Sequence, residues 1–350
     1  MNTSRPLLSI AVPTYNRASS LRRSLSSLAA QIVGIQGYKT VLELIVSDNC
    51  STDNTAEIVS AISTQVPLIY IRNENNLGME GNFISCFDRA RGVYVWTISD
   101  DDLLVDGALE GILKVLSRES VDLIFVPAKY LFGELDSFDS SSVAFTLTTV
   151  SADMFALRAN GVLSFLSSVV VNKDRYRSVS NTPNLNRYKG TFLAHYEWIY
   201  TLLAHGSEFR IASASLVLAR TGATGGYDLF EVFGKHYVRI GDEMLLHRPR
   251  MRRLLELAML YIHIPNFIQR CRENSFGRFE YDPQSAADQI VETYGDSIFY
   301  RLVLRPMLFG SNTTAAIALK AGRLYGRYWS LTRRLLCLIA PSYSSQNAQR

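Results

Sequence analysis

The chain has 350 residues, of which 47% are hydrophobic and 19% are charged, which is typical of a globular protein with one large domain or two ordinary ones. No run of about 18 uncharged apolar residues and no secretory signal occurs, which disfavours a membrane-spanning or secreted protein. The four cysteines are far apart and form no CxxC pair, which excludes a zinc ribbon and a disulfide scaffold. We therefore expect a cytoplasmic protein.

The formal net charge of +4 is unevenly distributed along the chain. Residues 245–350 contain 15 Lys and Arg against seven Asp and Glu, whereas residues 1–244 contain 21 against 25. This asymmetry predicts different partners for the two parts of the protein.

Short apolar runs alternate with helical patterns in the first 130 residues. The predicted strands are Leu7–Val12, Val41–Val46, Leu68–Ile71, Val93–Ile98 and Leu123–Val126. Apolar residues at helical spacing follow the first strand, and Ser19 or Ser20 is the expected N-cap. The alternation predicts βαβ units and a mostly parallel sheet, which is an α/β fold.

Polar residues follow four of these strands, where ligands of parallel sheets bind. They are Thr14–Arg17, Asp48, Arg72 and Asp100–Asp102. The glycine pattern of a dinucleotide site and the lysine motif of a P-loop are absent, which argues against a classical NAD enzyme or NTPase.

Three adjacent carboxylates at Asp100–Asp102 repel one another unless a cation lies beside them. A divalent metal ion is the usual solution, because hard cations bind carboxylate oxygens and bridge to phosphates. The alternative is a solvated acidic turn that caps the next helix.

Three ordered blocks resemble the hallmark segments of family 2 glycosyltransferases, namely Val12–Arg17, Leu44–Asp53 and Trp96–Asp102. Asn75–Gly78, with Asn82, is similar to the segment that lies between them in that family. The resemblance is strongest to abequosyltransferase-like and rhamnosyltransferase-like enzymes of bacterial surface polysaccharide and O-antigen synthesis. It implies a GT-A fold, which is a Rossmann-like, mostly parallel sheet flanked by helices.

The same resemblance implies the domain limits and the site. The catalytic domain is expected at 1–244, with a nucleotide-sugar half at 1–130 and an acceptor half at 131–244, followed by a basic amphipathic helical region at 245–350. The implied donor-binding residues are Pro13, Thr14, Tyr15, Asn16, Arg17, Asp48, Arg72, Asn76, Gly78, Asp100 and Asp101.

The resemblance also implies specific roles for these donor-binding residues. Thr14, Tyr15 and Asp48 would hold the base and ribose. Arg72 would reach the base or a phosphate, or else be an ordinary surface arginine. Asp100–Asp102 would hold Mg²⁺ or Mn²⁺, which bridges the diphosphate and stabilises charge on the leaving group. The choice among the three carboxylates stays open.

A helix predicted at Phe192–Gly206 resembles the family segment that carries the catalytic base, usually Asp. His195 stands at that position, and its ordinary pKa suits a general base. Glu197 is the second candidate and Asp174 the third. The alternative is that His195 caps or packs the helix.

Further expectations concern the segments around this helix. Phe165–Val171 and Ile211–Leu218 are predicted strands, and Asn181–Gly190 is a polar loop. A glycine-rich loop at Ala219–Gly226 is expected near the donor phosphates. His236 either completes the metal site or is structural.

The basic helices, at Met251–Ile264 and Ala315–Ile339, have the pattern of a surface attracted to anionic lipid. We expect peripheral contact with the inner face of the plasma membrane, or packing on the catalytic domain or in an oligomer. Nucleic acid is not an expected partner, because no recognised module accompanies the charge.

The sequence thus predicts a metal-dependent glycosyltransferase that moves a sugar from a nucleotide-diphosphate donor to a hydroxyl of a lipid-linked oligosaccharide. The alternatives are a nucleotidyltransferase of related fold and a non-catalytic carbohydrate-binding or assembly protein.

Overall fold

The structure is a computed structural model that describes residues 5–131, 138–180, 182–220, 227–273 and 281–339, with side chains to Leu335. It divides into two compact units. The first unit comprises residues 1–150, 163–190 and 194–221, and the second comprises 151–162, 191–193 and 222–350. The functional limits predicted at residues 130 and 244 stay a prediction, because compactness alone does not assign a function to either unit.

All described strands belong to the first unit. They are β1 (Leu8–Thr14), β2 (Leu42–Asp48), β3 (Ile69–Arg72), β4 (Tyr94–Thr97), β5 (Leu103–Leu104), β6 (Leu123–Phe125), β7 (Ala128–Leu131), β8 (Leu147–Val150), β9 (Val169–Asn172), β10 (Phe209–Ala212) and β11 (Val217–Arg220).

The described α-helices fall in both units. They are α1 (Ala18–Val33), α2 (Tyr38–Val41), α3 (Thr55–Ser63), α4 (Gly78–Arg89), α5 (Ala108–Leu116), α6 (Ala152–Ala159), α7 (Lys173–Val179), α8 (Tyr196–His205), α9 (Tyr237–Met244), α10 (Pro249–Ala258), α11 (Ile264–Arg272), α12 (Pro283–Tyr294), α13 (Arg305–Phe309) and α14 (Asn312–Ile339). The second unit is helical and also contains π-helical segments at Glu231–His236, Met259–His263 and Tyr300–Leu304.

Eight strands form one sheet in the order β3-β2-β1-β4-β9-β6-β10-β8. β3, β2, β1 and β4 are parallel neighbours, and β6 is parallel to β10. β9 runs antiparallel to both β4 and β6, and β8 runs antiparallel to β10. β5, β11 and β7 form a second sheet. The expected α/β fold with a mostly parallel sheet is therefore confirmed.

The core of the first unit forms around β1, which has hydrogen-bonded neighbours on both sides. Its apolar residues are buried against α1, whose apolar positions recur at helical spacing and are also buried. Each such side chain contributes about 1.5–3 kcal/mol when it leaves water. The buried residues of this contact are Leu8, Ile10, Val12, Leu21, Leu25, Leu28 and Ile32.

The predicted cap of α1 is wrong. The helix begins at Ala18, so Ser19 and Ser20 lie inside it, and no side chain of the N-cap residue Arg17 caps it. The Ala18 amide instead donates to Oδ2 of Asp53 at 2.9 Å. The cap comes from a loop 35 residues away, which local pattern could not show.

Two predicted strands also differ from the structure. Of the run Phe165–Val171, only the end from Val169 onward is strand, because Leu166–Ser168 forms a buried 3₁₀ turn. The run Ile211–Leu218 is divided between β10 and β11, which lie in different sheets. The chain crosses between the sheets at Ser213, whose amide donates to the Thr146 carbonyl.

The helix predicted at Phe192–Gly206 begins four residues later, at Tyr196. Gly190 and Phe192 have φ angles of +95° and +61°, in the left-handed region that a helix does not use. The segment before α8 is therefore an irregular turn. The tip of the predicted donor loop, from Thr221 to Gly226, lies outside the described residues, as does Asn181.

Candidate active site

The carboxyl ends of β1, β2 and β3 bring three predicted site residues side by side. Thr14 pairs in register with Asp48, and Asp48 pairs with Arg72. Parallel strands place these ends at one edge of the sheet, so residues far apart in sequence meet there. β4 lies on the other side of β1 and leads directly to Asp100–Asp102.

Asp48 is buried and held on both oxygens. Its Oδ1 accepts from the Ser51 amide at 2.8 Å, and its Oδ2 accepts from the Tyr70 hydroxyl at 2.6 Å. The Arg72 guanidinium lies 3.6 Å from the same Oδ2 and also donates to the Ser51 carbonyl. Burial, together with Asp48, raises the pKa of Tyr70, so its hydroxyl stays protonated and donates. Sequence analysis missed Tyr70, although its place in β3 beside β2 was a usable signal.

Asp100 and Asp101 share one guanidinium. Nη1 of Arg17 lies 3.1 Å from Oδ1 of Asp100 and 2.9 Å from Oδ2 of Asp101. The Thr14 hydroxyl donates to the other oxygen of Asp100 at 2.6 Å, and the Ser99 hydroxyl donates to Asp101 at 2.6 Å. The structure thus joins the first predicted block to the acidic cluster through direct hydrogen bonds.

Asp102 has a different environment from its two neighbours. Its Oδ2 accepts from the Ser167 hydroxyl at 2.6 Å, and the Arg220 amide also donates to the carboxylate. Ser167 additionally accepts from the Ser99 amide through Oγ and from the Trp96 indole through its carbonyl. Sequence analysis missed Ser167, because it lay inside a predicted strand with no polar motif.

Burial dominates the electrostatics of the cluster. It raises the pKa of Asp100 to about 6, against the opposing influence of the Arg17 guanidinium. Burial and the neighbouring Asp101 raise the pKa of Asp102 well above its ordinary value. For Arg17, burial acts to lower the pKa, but the two carboxylates outweigh it and raise the pKa.

The predicted asparagine block is bound to the end of β2. The Asn49 side chain donates to Oδ1 of Asn76 at 2.7 Å and to the Gly78 carbonyl at 3.1 Å. Gly78 has a φ of +75°, a conformation that glycine adopts without strain.

Pro13 lies within β1, and Tyr15 is 42% exposed, so its ring is open to a ligand. Asn16 has a φ of +51° and its Oδ1 accepts from the Thr52 amide at 2.8 Å.

The two leading base candidates are both buried. His195 is 1% exposed and its Nε2 lies 3.1 Å from the Leu163 carbonyl, which accepts. Nε2 therefore carries the proton, and Nδ1 keeps a lone pair that has no hydrogen-bond partner among the described residues. Burial lowers the pKa of His195 to about 4, so the ring is neutral at neutral pH.

Glu197, in the first turn of α8, is fully buried. Its carboxylate lies 3.4 Å from the Tyr176 hydroxyl and 3.4 Å from Nε of Arg187. Burial raises its pKa, and Arg187 acts in the opposite direction. The third candidate, Asp174, is instead half-exposed and pairs with Arg5.

The metal predicted at the acidic cluster has a suitable donor set, because carboxylate oxygens are the ligands that Mg²⁺ and Mn²⁺ prefer. A divalent cation would also favour the ionised forms of Asp100 and Asp102, which burial disfavours. Within the described part of the chain, no group of three His, Cys, Asp or Glu side chains is arranged as a preformed metal centre. His236, proposed as a further ligand, lies 3.6 Å from Glu231.

The strand order and this sheet edge are those of the GT-A fold. Residues 9–163 match the model of Glycosyl transferase family 2, so this segment is similar to that family. The predicted resemblance to this family and the predicted fold are confirmed.

Similar proteins agree with this assignment. The chain is 27% identical to abequosyltransferase RfbV of Salmonella typhimurium over 278 residues, which are 73% of this chain and 80% of that protein. It is 36% identical to the GalNAc(5)-diNAcBac-PP-undecaprenol beta-1,3-glucosyltransferase of Campylobacter jejuni over 111 residues, 31% and 34% of the two chains.

Solved structures show the same fold. The crystal structure of S. aureus TarS in complex with UDP has a TM-score of 0.57 at 17% identity and covers 92% of this chain and 91% of its own. The mannosyltransferase PcManGT from Pyrobaculum calidifontis, in complex with GDP-Man and Mn²⁺, has a TM-score of 0.51 at 16% identity and covers 96% and 86%.

Proposed function

We propose that the protein transfers a sugar from a nucleotide-diphosphate donor to a hydroxyl of a lipid-linked oligosaccharide during synthesis of a surface polysaccharide. The observation that carries this proposal is the edge where Thr14, Asp48 and the acidic cluster meet. The name of the abequosyltransferase supports the transfer of a sugar, and the name of the undecaprenol-linked glucosyltransferase supports the class of acceptor.

In this proposal the strand ends bind the donor. Tyr15 offers an exposed ring face to the base, and Asp48, oriented by Tyr70 and the Ser51 amide, accepts from a base or ribose donor group. The Arg72 guanidinium reaches the base or a phosphate. The remaining donor contacts come from Pro13, Thr14, Asn16, Arg17, Asn76, Gly78, Asp100 and Asp101.

Asp100, Asp101 and Asp102 would hold Mg²⁺ or Mn²⁺. The ion supplies charge stabilisation to the diphosphate that leaves the sugar. Arg17 already contacts two of these carboxylates, so it holds Asp100 and Asp101 in place.

Calorimetric titration of UDP and of GDP, each with Mn²⁺ or with EDTA, tests the metal. Because a bound metal contributes several kcal/mol to phosphate interactions, at least one nucleotide is expected to bind at least about tenfold more tightly with Mn²⁺. Equal affinity in both conditions would contradict the metal assignment. Failure of both nucleotides to bind in either condition would exclude UDP-sugars and GDP-sugars as donors.

We further propose that α14 brings the enzyme to an anionic membrane surface. Five apolar side chains of this helix are more than half exposed and fall within an arc of about 60° at 100° per residue. This α14 stripe consists of Ile317, Leu324, Tyr328, Leu331 and Leu335.

Cations line one flank of the α14 stripe, at Lys320, Arg323, Arg327 and Arg334, and the helix contains no Asp or Glu. Arg323 also donates to Asn266 and Gln269, which fixes its position. An apolar face with a cationic flank fits the interface of anionic lipids. None of the described helices is both long and apolar enough to cross a bilayer.

Flotation with vesicles of phosphatidylglycerol and phosphatidylcholine tests this surface. Each Lys or Arg near an anionic surface contributes about 1 kcal/mol, so the double variant Lys320→Gln/Arg327→Gln is expected to bind about 30-fold more weakly. Salt should weaken binding of the wild type, because exposed charges are screened.

The control is Arg239→Gln/Arg253→Gln, which removes the same charge from α9 and α10. It should float like the wild type. Equal losses in both double variants, or equal binding to neutral vesicles, would show that α14 is not the docking surface.

A further inference from the structure

Asn82 binds helix α4 to the donor edge, by which we mean the carboxyl ends of β1 and β2 that carry Thr14 and Asp48. Its Nδ2 lies 3.0 Å from the Ser47 carbonyl and 3.3 Å from the Thr14 carbonyl, and its Oδ1 accepts from the Ser47 hydroxyl at 2.7 Å. These contacts fix one face of α4 against the last residues of β1 and β2. The position of α4 therefore depends on the strands that carry Thr14 and Asp48.

Another face of α4 packs on α8. The Phe83 ring meets His195 edge to face at 5.7 Å, and the Phe87 ring stacks on Trp198 at 4.2 Å. Residues three and four apart share a helix face, so Glu80 lies on the same side as Phe83 and Phe87. α4 thus connects the donor edge with the first turn of α8.

The Glu80 carboxylate is buried and holds the backbone that enters α8. Its Oε2 accepts from the Gly190 amide at 2.5 Å, and its Oε1 accepts from the Ala194 amide at 3.1 Å. Ala194 directly precedes His195, the N-cap residue of α8, whose side chain makes no capping hydrogen bond. A carboxylate at this end of a helix satisfies free amides and interacts favourably with the helix dipole.

The segment that Glu80 holds has a backbone that needs external support. Gly190 and Phe192 both have positive φ angles, and the value for Phe192 is rarely adopted by a residue with a side chain. Such conformations persist when surrounding contacts determine them. Glu80 supplies two of those contacts, one at each side of the strained turn.

We propose that Glu80 is a positioning residue for sugar transfer: it fixes the turn before α8 and thereby the place of His195 relative to the donor edge. This inference rests on the proposed transferase function. Glu80 itself need not touch either substrate. Its loss should therefore change turnover while the affinity for the nucleotide stays the same.

Asp122 provides a matched control. It is also a buried carboxylate beside α8, and its Oδ2 accepts from the Ser207 and Glu208 amides at 2.7 and 2.9 Å. Those amides follow the C-terminal end of α8, so Asp122 makes the same kind of contact at the opposite end of the helix. Asp122→Asn therefore measures how much kcat falls when the C-terminal end of α8 is loosened and the turn before α8 is left intact.

The experiment compares Glu80→Gln, Glu80→Ala and Asp122→Asn with the wild type. The readouts are kcat, nucleotide affinity, the unfolding temperature and amide exchange of the peptide 188–197. A misplacement of about 1 Å can cost up to about 100-fold in rate, so kcat is expected to fall about 10- to 100-fold in Glu80→Ala and less in Glu80→Gln, which keeps one acceptor oxygen. Exchange of the Gly190 and Ala194 amides should accelerate, with nucleotide affinity unchanged.

An equal fall of kcat in Asp122→Asn, or an unchanged kcat in both Glu80 variants, would overturn the inference. If the wild type transfers no sugar from any nucleotide sugar, the proposed function fails instead. Amide exchange then decides separately: loss of protection at 188–197 in Glu80→Ala and not in Asp122→Asn supports the positioning contact, and unchanged protection refutes it.

Discussion

Sugar transfer by the Asp101→Asn variant is expected to fall by at least about 100-fold at neutral pH, more than the usual cost of losing an outer-shell metal contact. The Asp101 carboxylate is buried between the Arg17 guanidinium and the Ser99 hydroxyl. An amide of the same shape keeps the packing but removes the charge that a divalent ion needs. The measurement is nucleoside diphosphate release, followed as a function of Mn²⁺ concentration.

Asp53→Asn is the control for this substitution. Asp53 lies in the loop at the same sheet edge, but its oxygens accept from the Ala18 amide and from Thr55. Its variant should keep turnover and Mn²⁺ dependence, with some loss of stability from the weakened cap. If both variants lose activity to the same extent, the effect belongs to the loop and not to a metal ligand.

His195→Ala is expected to lose about 10²–10⁴-fold in turnover, the usual contribution of a general base, with donor affinity unchanged. The Leu163 carbonyl accepts a hydrogen bond from Nε2, so Nε2 carries the proton. Nδ1 therefore keeps a lone pair with which it can act as the base. Since His195 is almost fully buried, the acceptor can reach Nδ1 only if the surrounding side chains move. Single-turnover kinetics and calorimetry separate the two quantities.

Glu197→Ala tests the other base candidate in the same turn of α8. A severe loss there with a mild loss in His195→Ala would assign the base to Glu197. The pH profile gives a second criterion. Because burial lowers the pKa of His195 to about 4, kcat should show no His195 ionisation near the ordinary value of 6.5.

The depressed pKa also sets the range for these measurements. As pH falls from 6.5 towards about 4, the unfolded imidazole binds a proton that the folded one does not, so the free energy of unfolding decreases. Turnover should therefore be measured above about pH 6.5, where the imidazole is mostly neutral in both the folded and the unfolded state and this linkage has little effect on stability.

The strand ends were predictable because the relevant signals are local. An apolar run followed directly by Thr14, Asp48 or Asp100 indicates a buried strand and the polar residue at its end. The parallel register then makes these residues neighbours. Their partners were not predictable in the same way, because Tyr70 and Ser167 carry no motif and meet the carboxylates only through sheet order.

The local sequence pattern could not predict the environment of α8 either. The pattern predicts His195 inside a helix, whereas it is the N-cap residue of α8, and its burial depends on Phe83 from α4, more than 100 residues earlier. The division of Ile211–Leu218 has a similar cause, since an apolar run does not show that its two halves join different sheets. The cap of α1 by Asp53 is a third tertiary contact that overrides a local preference.

The place of β9 has a consequence for where this protein can be cut. β4 and β6 each pair with β9, which comes after the end of the family match at residue 163. A fragment that stops at that residue contains Thr14, Asp48 and all three adjacent carboxylates, but it lacks Ser167. It would leave one edge of β4 and both edges of β6 unpaired, because β10 is missing as well, and Asp102 would lack its hydroxyl partner. On the ribosome, the contacts of Asp102 are likewise incomplete until the chain has emerged past Arg220.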